Sequence, residues 1–229
     1  MKKIWFLALI FSVCLAGTAH AAEEMPVLKQ AKIKVSFDRN GVKVMEEVTI
    51  SNVQAIESGK VEHILTQFSD ADVADLEFTW GDIQLGAETT KGDIINKLSV
   101  PVPQGSTGDF SYMISYRFTK NTDVNRIPLV VPTIASDGTA NVVSLTLDLP
   151  QGKYLHNSFP IIDAGDSGTV VENMINMPNF VSLELSSTPA GFFKPSNLYT
   201  MFGLLVILGF IGAWILNERR VLKGGEVNV

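Results

Sequence analysis

The sequence predicts an all-β body, an immunoglobulin-like β-sandwich, followed by a single C-terminal transmembrane helix. Three observations carry this. Apolar and polar side chains alternate through about nine short runs; clusters of Gly, Pro, Asn and Asp separate those runs; and an uncharged apolar stretch from Leu198 to Leu216 stands near the end of the 229-residue chain.

Taken in order, the opening "MKKIWFLALIFSVCLAGTAHA" has two lysines, an apolar run from Ile4 to about Gly17 and Ala19-x-Ala21 at its end, the layout of a secretory signal peptide over residues 1–21. That run is short for a bilayer span. Cys14 is preceded by Val13, where a lipoprotein needs a small residue, and no polar linker follows. The body then opens with "AKIKVSF", which sets Ile33, Val35 and Phe37 on one face; a turn at Asn40-Gly41 returns the chain as "VKVMEEVTI", with Val42, Val44, Val48 and Ile50 in line. Further strands are expected in "VEHILTQF", "ADLEFTW", "IINKLSVPV", "SYMISYRF", "VVSLTLDL", "GTVVENMI" and "FVSLELSS". The body is one large sandwich or two packed modules; "TKNTDVNRIP" over residues 119–128 suits a linker, which favours a β-sandwich module at 22–120 and a second β module at 121–195 packed closely on it.

The last element spans 198–216. As a helix rising ~1.5 Å per residue it is ~28 Å long, close to the ~30 Å hydrocarbon thickness of a bilayer. Every angle around it is apolar or small, whereas a core helix of a soluble protein shows a polar face. Phe192, Phe193 and Tyr199 at one end and Trp214 at the other suit the two membrane interfaces. Arg219, Arg220 and Lys223 crowd the tail at 217–229 while Lys194 stands alone on the other side, so the tail is expected in the cytoplasm and the body outside it.

Leaving out Lys2 and Lys3 in front and Glu218, Arg219, Arg220, Lys223 and Glu226 behind, 13 basic and 22 acidic residues remain, a net charge of −9. Such a body repels phosphate backbones, so nucleic acid is excluded as a partner. Its lone cysteine lies in the leader, so stability rests on burial and sheet pairing without disulfides.

The pattern "KIKVSFDRNGVKVMEEVTI" resembles the start of the ectodomain in a group of uncharacterised bacterial predicted membrane proteins, where an alternating strand, an Asn-Gly-type turn and a Val-x-Val-x-Glu strand recur. The later "LTLDLPQG" is similar to their strand ending in Leu-Pro-x-Gly. The resemblance implies a fold and no activity.

Candidate chemistry is sparse. His63 and His156 are the histidines of the body, expected as unconnected surface or edge residues, with His156 in a loop. No Gly-x-Ser-x-Gly elbow and no Cys-x-x-Cys-His is present. Tyr112 and Tyr116 form a Tyr-x-x-x-Tyr on one strand face. It resembles the haem-iron tyrosine pair of the NEAT haem-transport domains, which implies Tyr112 as ligand and Tyr116 as its hydrogen-bond partner; an aromatic core stripe with Ile114 and Phe118 accounts for the same spacing. Asp70, Asp72 and Asp75 in "SDADVAD" offer oxygen ligands for calcium, as do Asp163 and Asp166, although neither set matches the D-x-[DN]-x-[DN]-G loop and solvated turn carboxylates account for both. In the terminal helix Gly209, Gly212 and Ala213 fall within a ~100° arc, the spacing at which another membrane helix approaches closely.

The expectation is a non-enzymatic, single-pass, membrane-anchored extracytoplasmic protein that binds or scaffolds, as accessory subunit to a protein partner in the membrane or envelope, with no cofactor. A ligand-presenting domain for haem, sugar or peptide is the alternative, and an envelope hydrolase the second alternative.

Overall fold

A computed structural model describes residues 25–38, 41–68, 72–119, 124–163, 165–189 and 195–224. The expected signal peptide at 1–21 lies outside them, as do Asp70, the aromatic pair at 192–193 and the last residues of the tail.

The described residues form mostly β-strands, with an apolar helix at the C-terminal end. In order these are β1 (Val27–Asp38), β2 (Gly41–Ser51), β3 (Lys60–Thr66), β4 (Asp72–Trp80), β5 (Ile83–Leu85), β6 (Glu88–Thr90) and β7 (Ile95–Pro101). There follow β8 (Phe110–Thr119), β9 (Val124–Pro128), β10 (Val130–Pro132), β11 (Val143–Asp148), β12 (Tyr154–Phe159), β13 (Thr169–Met174) and β14 (Phe180–Ser186). Helix α1 runs Pro195–Gly224. Every run predicted from alternation forms a strand, because each hides one face and wets the other.

The strands form a seven-stranded sheet in the order β13-β11-β1-β2-β8-β4-β5, a four-stranded sheet β10-β3-β7-β6 and a three-stranded sheet β12-β14-β9. The β1–β2 hairpin closes with Asp38 opposite Gly41, whose φ of 131° lies in the left-handed half of backbone space that glycine enters at no steric cost. The outer face of the large sheet is wet and ion-paired from strand to strand: Lys32 with Glu47 at 3.1 Å, Lys34 with Asp148 at 2.9 Å and Arg117 with Asp38 at 3.2 Å. Exposed pairs of this kind each stabilise little. Its inner face, with Val35, Ile50 and Ile114, belongs to one core cluster that also takes in Val61 and Leu98 of the second sheet and Leu155 and Leu183 of the third.

Sheet pairing bears on the expected division at two places. The predicted boundary at residue 120/121 is crossed by sheet pairing: β1 runs parallel to β11, with Ala31 opposite Val143 and Val35 opposite Leu147, and β10 pairs with β3. The predicted linker at 119–128 contains β9, which pairs with β14 from Val124 opposite Glu184 to Pro128 opposite Phe180. Asn125 and Ile127 of that stretch are buried, so apparently turn-forming residues are held in a strand by the neighbour they pair with.

Candidate functional site

Alternation explains how polar side chains came to be inside. In β2 the residues Val42, Val44, Glu46, Val48 and Ile50 are in phase and all buried; in β3 the same holds for Val61, His63 and Leu65. Glu46 and His63 are both 0% exposed, and Tyr112 and Tyr116 of β8 are 2% and 1% exposed. Pairing of β2 with β8 within the first sheet sets Glu46 beside Tyr116, and packing of the second sheet on the first sets His63 beside Tyr112.

In the first pair, His63 Nε2 lies 2.6 Å from the Tyr112 hydroxyl and Nδ1 lies 3.1 Å from the Val61 carbonyl. A neutral imidazole with its hydrogen on Nδ1 satisfies both, donating to Val61 and accepting from Tyr112. Burial pushes His63 down to about 4, with the backbone hydrogen bonds at Val61 and Leu98 opposing. The imidazole also meets Phe78 and Tyr112 at centroid distances of 5.5 Å, and Tyr112 stacks on Phe110 at 5.2 Å. The pair thus links the second sheet to the first through an aromatic row.

In the second pair, Glu46 Oε1 lies 2.7 Å from the Tyr116 hydroxyl and accepts from the Val130 amide at 3.0 Å. The same Tyr116 hydroxyl lies 2.6 Å from the Pro128 carbonyl oxygen. Burial pushes Glu46 up to about 8, opposed by its contacts with the Tyr116 hydroxyl and the Val130 amide. Its second oxygen, Oε2, has no hydrogen-bond partner. Both tyrosines are raised well above 10, by burial first and by Glu46 second. Pro128 ends β9 and Val130 opens β10, while Leu129 between them donates to the Asn179 carbonyl at 3.0 Å. Glu46 therefore fastens the joint at which the chain passes from the third sheet to the second, and it does so from the first.

The remaining predicted residues are placed as follows. Tyr112 and Tyr116 do share a face, and that face is the core, where both hydroxyls are engaged with His63 and Glu46; these contacts supply the aromatic-stripe explanation of their spacing. His63 is a core residue, which corrects the expectation of a surface or edge position; His156 is exposed and lies in β12, which corrects the expected loop. Asp75 is exposed with φ 54°, where the β4–β8 register shifts between Ala74 and Glu77, a backbone geometry that aspartate tolerates. Asp72 contributes backbone to β4, and Asp70 lies outside the described residues. Among the described residues no group of three or more His, Cys, Asp or Glu stands ready to hold a metal ion.

Between β4 of the first sheet and β3, β6 and β7 of the second lies a cleft of about 480 Å³, with Leu65, Val73, Leu76 and Leu98 among its walls and Lys91 and Asn96 contributing polar groups.

Helix α1 contains the segment Asn197–Arg219, 23 residues with a mean hydropathy of 2.1, long and apolar enough to cross a membrane. None of that apolar surface is covered by the β body: Phe210 is 75% exposed, Phe202 70% and Trp214 65%. Burying one such side chain is worth roughly 1.5–3 kcal/mol. A row of them left in water is strongly unfavourable, and a bilayer removes the cost. Gly209 and Gly212 have nothing within 4 Å of where a side chain would begin.

No family model matches the chain, and no curated protein matches it. Among solved structures, yeast LTA4 hydrolase bound to bestatin aligns at 10% identity and a TM-score of 0.40, over 75% of this chain and 32% of that one. Legionella pneumophila aminopeptidase A aligns at 12% identity and 0.39, over 69% and 21%. A non-cellulosomal cohesin from Archaeoglobus fulgidus aligns at 13% identity and 0.29, over 52% and 89%. The chain thus spans about a third or less of the hydrolase and aminopeptidase structures, and at these scores the likeness assigns neither fold family nor activity.

Proposed function

We propose that the protein is a non-enzymatic, single-pass membrane protein whose β body, an immunoglobulin-like sandwich, is held outside the cytoplasm of a bacterial cell as an accessory binding or scaffold subunit. The observation that carries this reading is the uncovered apolar helix on a body whose own apolar side chains fill a shared core. The basic tail at 217–229 and the signal-peptide pattern at 1–21 support the orientation. Gly209, Gly212 and Ala213 support a second helix as the contact within the membrane.

Three outcomes are expected. The full chain stays in the membrane pellet after alkaline carbonate washing, and a chain ending before Asn197 is released. Protease added to spheroplasts removes the body and spares a short stub that includes the tail. Purified in mild detergent, the protein brings a membrane protein with it, and Gly209→Ile reduces that recovery severalfold; a lone monomer from wild type speaks against a scaffold role.

The cleft beside Leu65 and Leu98 favours a second reading, a domain that presents a small ligand. Native mass spectrometry of protein taken from its own membrane distinguishes the two. An added small-molecule mass that disappears in Leu76→Trp supports the ligand; the bare chain mass removes it.

A further inference from the structure

The Tyr116 hydroxyl has one hydrogen and two close oxygen neighbours, Glu46 Oε1 at 2.7 Å and the Pro128 carbonyl at 2.6 Å. A carbonyl oxygen only accepts, so the hydrogen between Tyr116 and Pro128 must come from the phenol. If Glu46 were ionised, a phenol donating to Pro128 would leave two lone-pair-bearing oxygens facing each other on the Glu46 side. If it donated to Glu46, the same conflict would arise against Pro128. A protonated Glu46 gives each contact a hydrogen of its own: the hydroxyl at Oε1, whose oxygen still accepts from the Val130 amide, donates to Tyr116, and Tyr116 donates to Pro128. We propose that Glu46 carries a proton at neutral pH and that the ordered chain Glu46 to Tyr116 to the Pro128 carbonyl is a pH-sensitive clasp, which holds the β9–β10 joint on the first sheet and lets go when that proton is lost.

The surroundings of Glu46 agree. From β8 it meets Tyr116, with Tyr112 further along the strand and hydrogen-bonded to His63 of β3; from β10 it meets the Val130 amide, while the Pro128 carbonyl of β9 is held through Tyr116. Its register partner on β1 is Ile33, while Lys32 and Lys34 alternate to the wet face. Arg126 of β9 is exposed. Among the described residues the buried polar or charged side chains are Glu46, His63 and Asn125, so no lysine or arginine is buried with the carboxyl to neutralise it. The unpartnered Oε2 is more easily borne as the carbonyl of a neutral acid than as part of a carboxylate.

When the proton leaves for solvent, the Tyr116 hydrogen turns from Pro128 to the new carboxylate. The Pro128 carbonyl, opposite Phe180 in the pairing of β9 with β14, then faces a phenol lone pair. β14 is the strand that leads on to α1, so the clasp controls how firmly the sheet carrying the helix is held to the largest sheet.

The test uses the full chain in detergent micelles from pH 6 to pH 9. Infrared difference spectra against Glu46→Gln are expected to show a protonated-carboxyl stretch at pH 6 that disappears with a midpoint near 8. Amide hydrogen exchange, corrected for the intrinsic pH dependence, is expected to accelerate about tenfold in peptides covering 124–132 through the same midpoint, with β1 and β2 much less affected. Tyr116→Phe keeps the carboxyl but cannot relay: the infrared transition persists while the local exchange step vanishes. A carboxylate signature already present at pH 6 overturns the proposal. So does an exchange step shared equally by β1, β2 and 124–132, or one that survives in Tyr116→Phe.

Discussion

Unfolding free energy of the full chain is expected to stay nearly level between pH 4.5 and pH 6.5 and then to fall by about 2 kcal/mol as pH rises to 8. Two buried groups of opposite sense produce this shape. Glu46 is raised from 4.5 to about 8, so the folded state binds the extra proton throughout that window. Its stabilisation is complete below 4.5 and is lost as pH climbs to 8, about 5 kcal/mol in all at ~1.4 kcal/mol per pH unit. His63 is lowered from 6.5 to about 4, so there the unfolded chain binds the extra proton. Its contribution is present above 6.5 and is lost as pH falls to 4, about 3 kcal/mol in all. Between 4.5 and 6.5 the two slopes cancel; above 6.5 Glu46 acts alone. Asp109, held low by Lys29 and Ser51, Asp148, held low by Lys34 and Thr169, and Asp137, held low by the Thr139 amide and hydroxyl, start from 3.8 and so act only at more acidic pH. Urea titrations at a series of pH values check the profile. Glu46→Gln leaves the His63 arm alone, rising from pH 4 to 6.5 and then flat, whereas His63→Gln uncovers a continuous fall from 4.5 to 8. Wild-type stability that is level or rising between 6.5 and 8 contradicts the Glu46 assignment, and a Glu46→Gln profile that is flat from pH 4 to 6.5 contradicts that of His63.

The second large effect concerns how far the chain folds as one body. Leu145 and Leu147 of β11 are fully buried, and β11 is hydrogen-bonded to β1 on one side and β13 on the other. Leu145→Ala is expected to destabilise by about 2–5 kcal/mol, the cost of lost apolar contact plus the cavity left behind. Because the sheet continues from β11 through β1, β2 and β8 to β4, amide exchange in β4 should accelerate with that in β11, and denaturant should reveal one transition. If β4 keeps its protection while β11 loses it, the stretch beyond residue 120 folds independently, as the linker-like run at 119–128 suggests from composition.

Both predictions depend on residues whose position could be read from the sequence and whose partners could not. Glu46 stands in phase with Val44 and Val48, and His63 with Val61 and Leu65, so the pattern that marks the inner face already places a carboxyl and an imidazole on it. The expected surface or edge position of His63 runs against that phase. The tyrosine pair was legible as a shared face. That this face is the core, with one phenol against His63 and the other against Glu46, required the sheets to be brought together.

Periodicity of two, turn residues and an unbroken apolar run are properties of neighbours along the chain, so strands, hairpin and apolar helix follow from composition and order alone. Partnership is a property of residues far apart: Ala31 with Val143, Lys60 with Pro101, Val124 with Glu184. Many pairings satisfy the same alternation, and the one adopted is the one that hides every inner face at once while giving buried polar groups such as Glu46 and His63 their hydrogen bonds. That global condition made a strand of a linker-like segment and joined the two halves in one sheet.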